Sequence, residues 1–249
     1  MSGSAVAVVI PALDEEAAVG AVVATLRRAA CGIDEVVVCD NGSRDRTAEV
    51  ARAAGATVVP ALRRGYGSAC LAGLAHLRAR ATGPPDIVVF VDADGSDRPE
   101  ELPRLLAPLL AGEADLVVGS RVLGCAEPGA LTPPQRLGNR LAAFLLRARF
   151  GVTTTDLGPF RAVRWSALER LAMRDPGYGW TVEMQARAAR LGLATVEVPV
   201  TYRRRVGRSK ISGTVRGVIG AGTKILWTIA REAVRPGPVV RFGPPAPPD

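Results

Sequence analysis

Five short segments in the first half of the chain are dominated by apolar, largely β-branched residues: 5–10, 35–39, 57–59, 87–91 and 115–118. Each is too short for a helix and is bounded by glycine, proline or polar residues. That pattern predicts strands buried on both faces, as in a parallel sheet. Between them the apolar spacing turns helical. One helix is expected from Asp14 to about residue 30, with Asp14 as its N-cap and Glu15 and Glu16 in its first turn. Others are expected over 45–54, closed by Gly55, from the loop Arg63-Arg64-Gly65-Tyr66-Gly67 to about residue 80, and over 99–111. Strand alternating with helix means an α/β fold with a doubly wound, mainly parallel sheet.

Beyond residue 121 the pattern changes. A Pro/Gly-rich loop (125–134) leads to an arginine-studded amphipathic helix (135–150), a short strand (160–163) and helices over 165–173 and 180–191. Residues 194–202 read as a strand that Pro199 places at a sheet edge. A basic loop (203–212) and a long helix (214–234) follow. The proline-rich tail 235–249 carries too little apolar residue to pack and is expected to be disordered. The organisation expected is one domain over 1–234, with halves of about 1–121 and 122–234.

Composition narrows the partners. A length of 249 residues suits one α/β domain. The formal net charge is +8, carried by thirty arginines and only two lysines. This is either a coding preference spread over a soluble surface or a specific affinity for anions: a nucleoside diphosphate, a lipid phosphate or an anionic membrane face. Aromatic residues make up 4% and do not interleave with basic ones, which argues against nucleic acid. Cys31, Cys39, Cys70 and Cys125 have no CxxC spacing, so neither a zinc site nor a disulfide framework is implied, and a reducing compartment fits. No basic leader is read at the N-terminus. The longest apolar candidate, 215–234, is interrupted by Arg216, Lys224, Arg231 and Glu232, so no membrane span is expected. That helix is either a core or homodimer element or one lying on a membrane surface. The expected location is cytoplasmic, with peripheral contact at the inner membrane face left open.

The sharpest chemical feature is DIVVFVDADGSD, residues 86–97. A buried strand runs without a spacer into Asp92, Asp94 and Asp97. Carboxylates so close at the end of such a strand are costly unless positive charge sits beside them. Mg2+ or Mn2+ carrying phosphate oxygens meets that need, because hard cations take one or two protein carboxylates plus substrate phosphates. The competing reading is an Asx-rich turn ahead of the helix that opens with Pro99-Glu100-Glu101. The other strand ends add Pro11, Asp14 and Glu15, then Asp40, then Arg63, Arg64, Gly65 and Gly67. Consecutive βα units place all four loops on the C-terminal sheet edge, where open α/β sheets bind ligands. Together they outline a nucleoside-diphosphate site. The absence of GxGxxG and of a Walker-type glycine-lysine loop disfavours a dehydrogenase or a P-loop NTPase.

Taken in order, IPALDEE (10–16), VVVCDNGSRDRT (36–47), RRGYGSACLAGL (63–74), VFVDADGS (89–96), VVGSR (117–121), DLGPFRA (156–162) and YRRRVGRSK (202–210) resemble the family 2 glycosyltransferases of the GT-A fold. The resemblance covers about residues 5–230 and is strongest to the polyprenyl-phosphate sugar synthases. It implies that Pro11, Leu13, Glu15 and Asp40 contact the donor's base and ribose, with Arg64, Gly67 and Ala93 on the same side. It makes Asp92 and Asp94 a DxD metal motif. Arg121 and the loop bearing Arg205, Ser209 and Lys210 then meet phosphates of donor or acceptor, and Arg161 falls on the acceptor side through Gly158-Pro159-Phe160-Arg161. Two motifs depart from the family pattern: Asp40-Asn41-Gly42-Ser43 replaces Asp-Asp-Gly-Ser, and Gly158-Pro159 replaces Ser-Gly. The Gln-x-x-Arg-Trp of processive synthases is absent, since Val163-Arg164-Trp165 lacks the glutamine, and this favours a single transfer.

The transfer expected is one inverting displacement from a UDP- or GDP-sugar. A polyprenyl phosphate acceptor is already an anion and needs no general base, whereas a small-molecule hydroxyl acceptor would need one, for which Glu183 and Asp156 are the candidates. Trp180, beside Gly177-Tyr178-Gly179, is the candidate to stack on a sugar. The single histidine, His76, lies in a helix among leucines and reads as structural, which disfavours a Ser/His/Asp hydrolase. The cations of 203–210 are either a solvated face or a loop closing over phosphates. A sugar-nucleotide pyrophosphorylase and a non-catalytic nucleotide-binding module remain as alternatives; the acidic loop after the first strand weighs against the former.

Overall fold

The computed structural model describes residues 4–29, 32–207 and 215–234. Cys31, Ser209, Lys210 and the proline-rich tail lie outside the described residues. Seven strands form one sheet: β1 (Val6–Ala12), β2 (Ile33–Asp40), β3 (Thr57–Pro60), β4 (Ile87–Phe90), β5 (Leu116–Ala126), β6 (Arg161–Arg164) and β7 (Thr195–Tyr202). Their order is β3-β2-β1-β4-β6-β5-β7. The helices are α1 (Val19–Arg28), α2 (Thr47–Ala53), α3 (Tyr66–Arg78), α4 (Leu102–Leu110), α5 (Pro133–Phe150), α6 (Trp165–Leu171), α7 (Trp180–Leu191) and α8 (Val215–Val234).

All the pairings are parallel except those of β6, which runs antiparallel between β4 and β5. The alternation of the first half did not foretell this insertion, because β6 comes from the second half and is four residues long. With β6 reversed, β5 still points the same way as β4, so the C-terminal ends of β1, β2, β4 and β5 share one edge. β7 closes the other side as an edge strand, with Pro199 opposite Ser120. β5 continues to Ala126, through the start of the stretch read as loop.

The two-residue period of β1 sorts its side chains between two layers. Val8 and Ile10 pack with Val23, Leu26, Leu105 and Leu109 of α1 and α4. Ala7 and Val9 pack with Leu77 of α3 and Trp180 and Met184 of α7. A third cluster joins α5, α7 and α8 through Leu146, Phe150, Val182 and Ile229. Cys39 is enclosed in the second layer, where burial pushes its thiol up to about 12. No described helix is long and apolar enough to cross a membrane.

Candidate active site

The strand ends converge on a cavity of about 370 Å³. Pro11, Leu13 and Glu15 reach its wall from the loop after β1, and Arg64, Gly65 and Tyr66 from the loop before α3. Asp92, Ala93 and Asp94 come from the end of β4, and Arg205 from the segment after β7.

The loop after β1 is not the helix start expected. Asp14 adopts a left-handed backbone (φ 52°), which Asp tolerates because its short side chain bonds locally. Its backbone N–H donates to Ser43 Oγ at 2.9 Å and its Oδ1 accepts from the Arg44 N–H at 2.7 Å. Asp14 therefore ties the first loop to the second, and α1 begins only at Val19 without a side-chain cap. Glu15 is carried into the cavity by this turn, its N–H donating to Thr47 Oγ1 at 2.7 Å.

Asn41, in sequence only a departure from the family pattern, clamps the second loop to the third. Its amide donates to the carbonyls of Ala61 (3.2 Å) and Arg63 (2.7 Å), and its Oδ1 accepts from the Gly65 N–H at 2.7 Å. An aspartate could not donate to either carbonyl. The signal was in the sequence: an amide is the side chain able to serve backbone donors and acceptors at once. Asp40 sits one residue away and turns Oδ1 into its own loop, accepting from the Ser43 N–H (3.1 Å) and Oγ (2.5 Å).

Gly65 and Gly67 admit the backbone of residues 175–177 rather than a phosphate. A Cβ at Gly65, whose φ is 131°, would lie 2.1 Å from the Pro176 carbonyl oxygen, and one at Gly67 would lie 1.9 Å from that of Asp175. The N–H groups of Gly67 and Ser68 donate to Gly177 and Pro176 carbonyls. Gly67 is thus a packing contact, and the approach of this segment places Tyr178 on the cavity wall.

At the end of β4 the acids are crowded. Asp92 Oδ1 accepts from the Tyr66 hydroxyl at 3.1 Å, and the Asp92 N–H donates to Asp97 Oδ2 at 3.1 Å. Burial and the neighbouring Asp94 push the Asp92 carboxyl up to about 7, and the Asp97 carboxyl is also raised, by burial and by Asp92. Asp94 Oδ1 accepts from the N–H and Oγ of Ser96, at 2.9 and 2.5 Å. The residues after β7 lie across this loop: Arg203 N–H donates to the Ser96 carbonyl and Val206 N–H to that of Asp94. Arg205 Nη2 then spans Glu15 Oε1 at 2.7 Å and Asp94 Oδ2 at 3.3 Å. The carboxylates facing the cavity, Glu15, Asp92 and Asp94, outnumber its arginines, Arg64 and Arg205, and their oxygen donors fit a hard divalent cation. Among the described residues no group of three or more His, Cys, Asp or Glu could hold a metal ion, so Asp92 and Asp94 need phosphate oxygens to complete such a site.

Other expected residues lie off the wall. Asp156 grips Arg121 with both oxygens, at 2.7 Å to Nε and 2.7 Å to Nη2, while Tyr202 stacks on the guanidinium. Against the cost of its burial, hydrogen bonds from Arg121 hold Asp156 below the usual carboxylate range, which unsuits it as a base. Arg161 is wholly buried and donates to the carbonyls of Gly158 and Thr181, so it is a structural tie; burial lowers its proton affinity to about 10. Trp180 is also buried, edge-on to Phe90 at 5.8 Å, and cannot stack on a sugar. Glu183 accepts from the N–H groups of Arg174 and Asp175 and from the guanidiniums of Arg187 and Arg231, leaving no open face for a substrate proton. His76 pairs with Glu35 at 2.8 Å.

Comparison with known proteins places these features in company. The family model described as Glycosyl transferase family 2 matches residues 7–172. An uncharacterised glycosyltransferase of Mycobacterium tuberculosis is 42% identical over 222 residues, 88% of this chain and 95% of its own length. A dolichyl-phosphate hexose transferase of Haloferax volcanii is 36% identical over 237 residues, 92% of this chain and 96% of its own. Among solved structures, glucosyl-3-phosphoglycerate synthase from Mycobacterium tuberculosis, in complex with Mn2+, UDP-glucose and phosphoglyceric acid, aligns with a TM-score of 0.76 at 30% identity, over 94% of this chain and 81% of that one.

Proposed function

The chain belongs to glycosyl transferase family 2, and from that premise we propose that it transfers one sugar from a UDP- or GDP-sugar to a polyprenyl phosphate. The donor lies in the cavity at the sheet edge, its base toward Pro11 and Leu13 and its diphosphate toward Asp92, Asp94 and Arg205. A Mg2+ or Mn2+ ion on Asp92 and Asp94, when bound, supplies the charge that stabilises the departing diphosphate. Tyr66 orients Asp92 through its hydroxyl. Arg205 and the backbone around it cover the loop bearing the acids and limit water there. The acceptor phosphate oxygen attacks the anomeric carbon as the bond to the diphosphate breaks, with inversion.

The observation that carries the acceptor class is the state of the two candidate bases. Glu183 is enclosed by guanidiniums and Asp156 is held ionised by Arg121. A hydroxyl acceptor would want one of them free, and a phosphate acceptor wants neither. The relative named for dolichyl-phosphate hexose transfer supports the same class. A small soluble acceptor is the second reading, favoured by the phosphoglyceric acid bound to the solved relative.

The donor half of the reading is tested by the thermal shift of the protein with UDP- and GDP-hexoses, with and without Mn2+. One nucleotide class should raise the melting temperature only in the presence of metal. Equal shifts in chelator would overturn it.

A further inference from the structure

We propose that the outward face of α5 is a docking surface for an anionic lipid bilayer. Helix α5 is eighteen residues long, opens with a capping box at Thr132 and Gln135, and contains no acidic residue. Its inward face, Ala142, Leu146 and Phe150, packs against α7 and α8. On the opposite side Leu137, Leu141 and Phe144 are 69%, 43% and 64% exposed. At 3.6 residues per turn these three fall within an arc of about 60°. A soluble helix ordinarily turns such a stripe inward. Arg136, Arg140 and Arg147 run along one flank of the stripe, all exposed, whereas Arg149 on the other flank turns back onto the Phe150 ring and the Ala233 carbonyl. Apolar residues flanked by cations that can reach outward suit the boundary between headgroups and acyl chains of an anionic membrane.

The long helix α8 is the other candidate, but its exposed Trp227 is already covered by Lys224 and Arg231, each 4.8 Å from a ring centroid. Those cations are in turn paired with Asp175 and Glu183. Among the described residues no cation stacks on Phe144 of the α5 stripe.

The position of α5 relative to the site gives the surface a use, and this use rests on the lipid-phosphate reading. Asn139, on its inner side, donates to the Thr155 carbonyl at 3.0 Å and accepts from the Leu157 N–H at 2.8 Å. Asp156 between them holds Arg121. Exposed Val122 and Leu123 follow Arg121 on β5, and the Leu123 N–H is tied to Ser120 Oγ, itself 2.7 Å from Thr155 Oγ1. Helix α5 therefore links a bilayer on its outward face to the segment that holds Arg121 on its inward one.

The test is flotation of the full chain with vesicles of phosphatidylcholine plus phosphatidylglycerol, against phosphatidylcholine alone, with no donor or acceptor present. The parent should bind the anionic vesicles, more weakly at high salt. The double variant L137E/F144E should bind at least tenfold more weakly, and R136Q/R140Q should lose most of the preference for anionic lipid. Circular dichroism melting curves should match the parent, since all four side chains are exposed. No parent binding, or unchanged binding by L137E/F144E, overturns the proposal. So does a change of oligomeric state in L137E/F144E by light scattering, which would make the stripe a contact between copies of the chain. A second arm separates this proposal from the function on which its use rests. Turnover on a water-soluble short-chain polyprenyl phosphate should survive in L137E/F144E, while turnover on long-chain acceptor in vesicles falls. No turnover of either acceptor by the parent sinks the acceptor reading and leaves the flotation result standing.

Discussion

Asp92 and Asp94 at the sheet edge, and Glu183 and Glu232 at the junction of α7 and α8, are equally striking as acids in a list of residues, yet their surroundings are opposite. Arg187 lies 2.7 Å from Glu183 and 3.3 Å from Glu232, and Arg231 lies 2.8 Å and 3.2 Å from the same two. Those charges answer one another, and the group holds two helices together. At the sheet edge Arg205 reaches Asp94 and Glu15, while Asp92 has a phenol for a partner and a carboxyl pushed up to about 7. A closed network contributes to the fold; crowded acids on a cavity wall mark a candidate site. The difference is one of partners, and partners are set by long-range packing.

The comparison is broken most easily at its extremes. Asp94→Ala should cut sugar transfer by about a thousandfold or more, ~4 kcal/mol, and abolish any response to Mn2+. Its melting temperature should change little, because one crowding charge is gone. Glu183→Gln should do the reverse. Removing one charge from the closed network leaves guanidiniums uncompensated, with a loss of about 3–5 kcal/mol of stability, while kcat at a temperature where the variant is folded stays within about fivefold of the parent, under ~1 kcal/mol. A stable but inactive Glu183→Gln would return the glutamate to the role of base.

Asn41→Asp probes the clamp between the second and third loops. It replaces a donor to two carbonyls by an acceptor, so about 1–3 kcal/mol of stability should be lost, with weaker nucleotide binding in titration calorimetry. An unchanged dissociation constant would separate the clamp from the site.

The smallest effect is the pH dependence of the ligand-free protein. The Asp92 carboxyl is raised from its ordinary 3.8 to about 7. Between those values the folded protein holds a proton that the unfolded chain releases, so this group makes stability fall as pH rises through the window. Asp92→Asn should flatten the fall in melting temperature over that range. Metal and donor binding should release a proton below pH 7 for the same reason. A parent and variant with parallel profiles would contradict the crowding.

What the sequence made legible is what short-range pattern controls. The run Ile87–Phe90 ending in Asp92 and Asp94 specified a buried strand with two acids at its cavity end, and the βα alternation put the first four loops on one edge. Pro199 marked an edge strand correctly, because a missing donor is a local property. What it did not disclose depends on distant partners. β6 reverses between β4 and β5, a matter of pairing that no four-residue run encodes. Trp180 is buried by Phe90, ninety residues away. Glu183 and Asp156 read as candidate bases because Arg231 and Arg121, which occupy them, lie 48 and 35 residues away; only Arg187 on Glu183 is a local partner. Asp14 read as a helix cap, yet serves the loop after β2.

The most direct test of the central claim is mass-spectrometric detection of the product itself. The protein is incubated with UDP- and GDP-hexoses, Mn2+ and a short-chain polyprenyl phosphate. The account predicts a glycosyl polyprenyl phosphate of inverted anomeric configuration from one nucleotide class, lost in chelator and with Asp94→Ala. Transfer only to neutral hydroxyl compounds, or a phosphate-linked product formed equally well without metal, would contradict it.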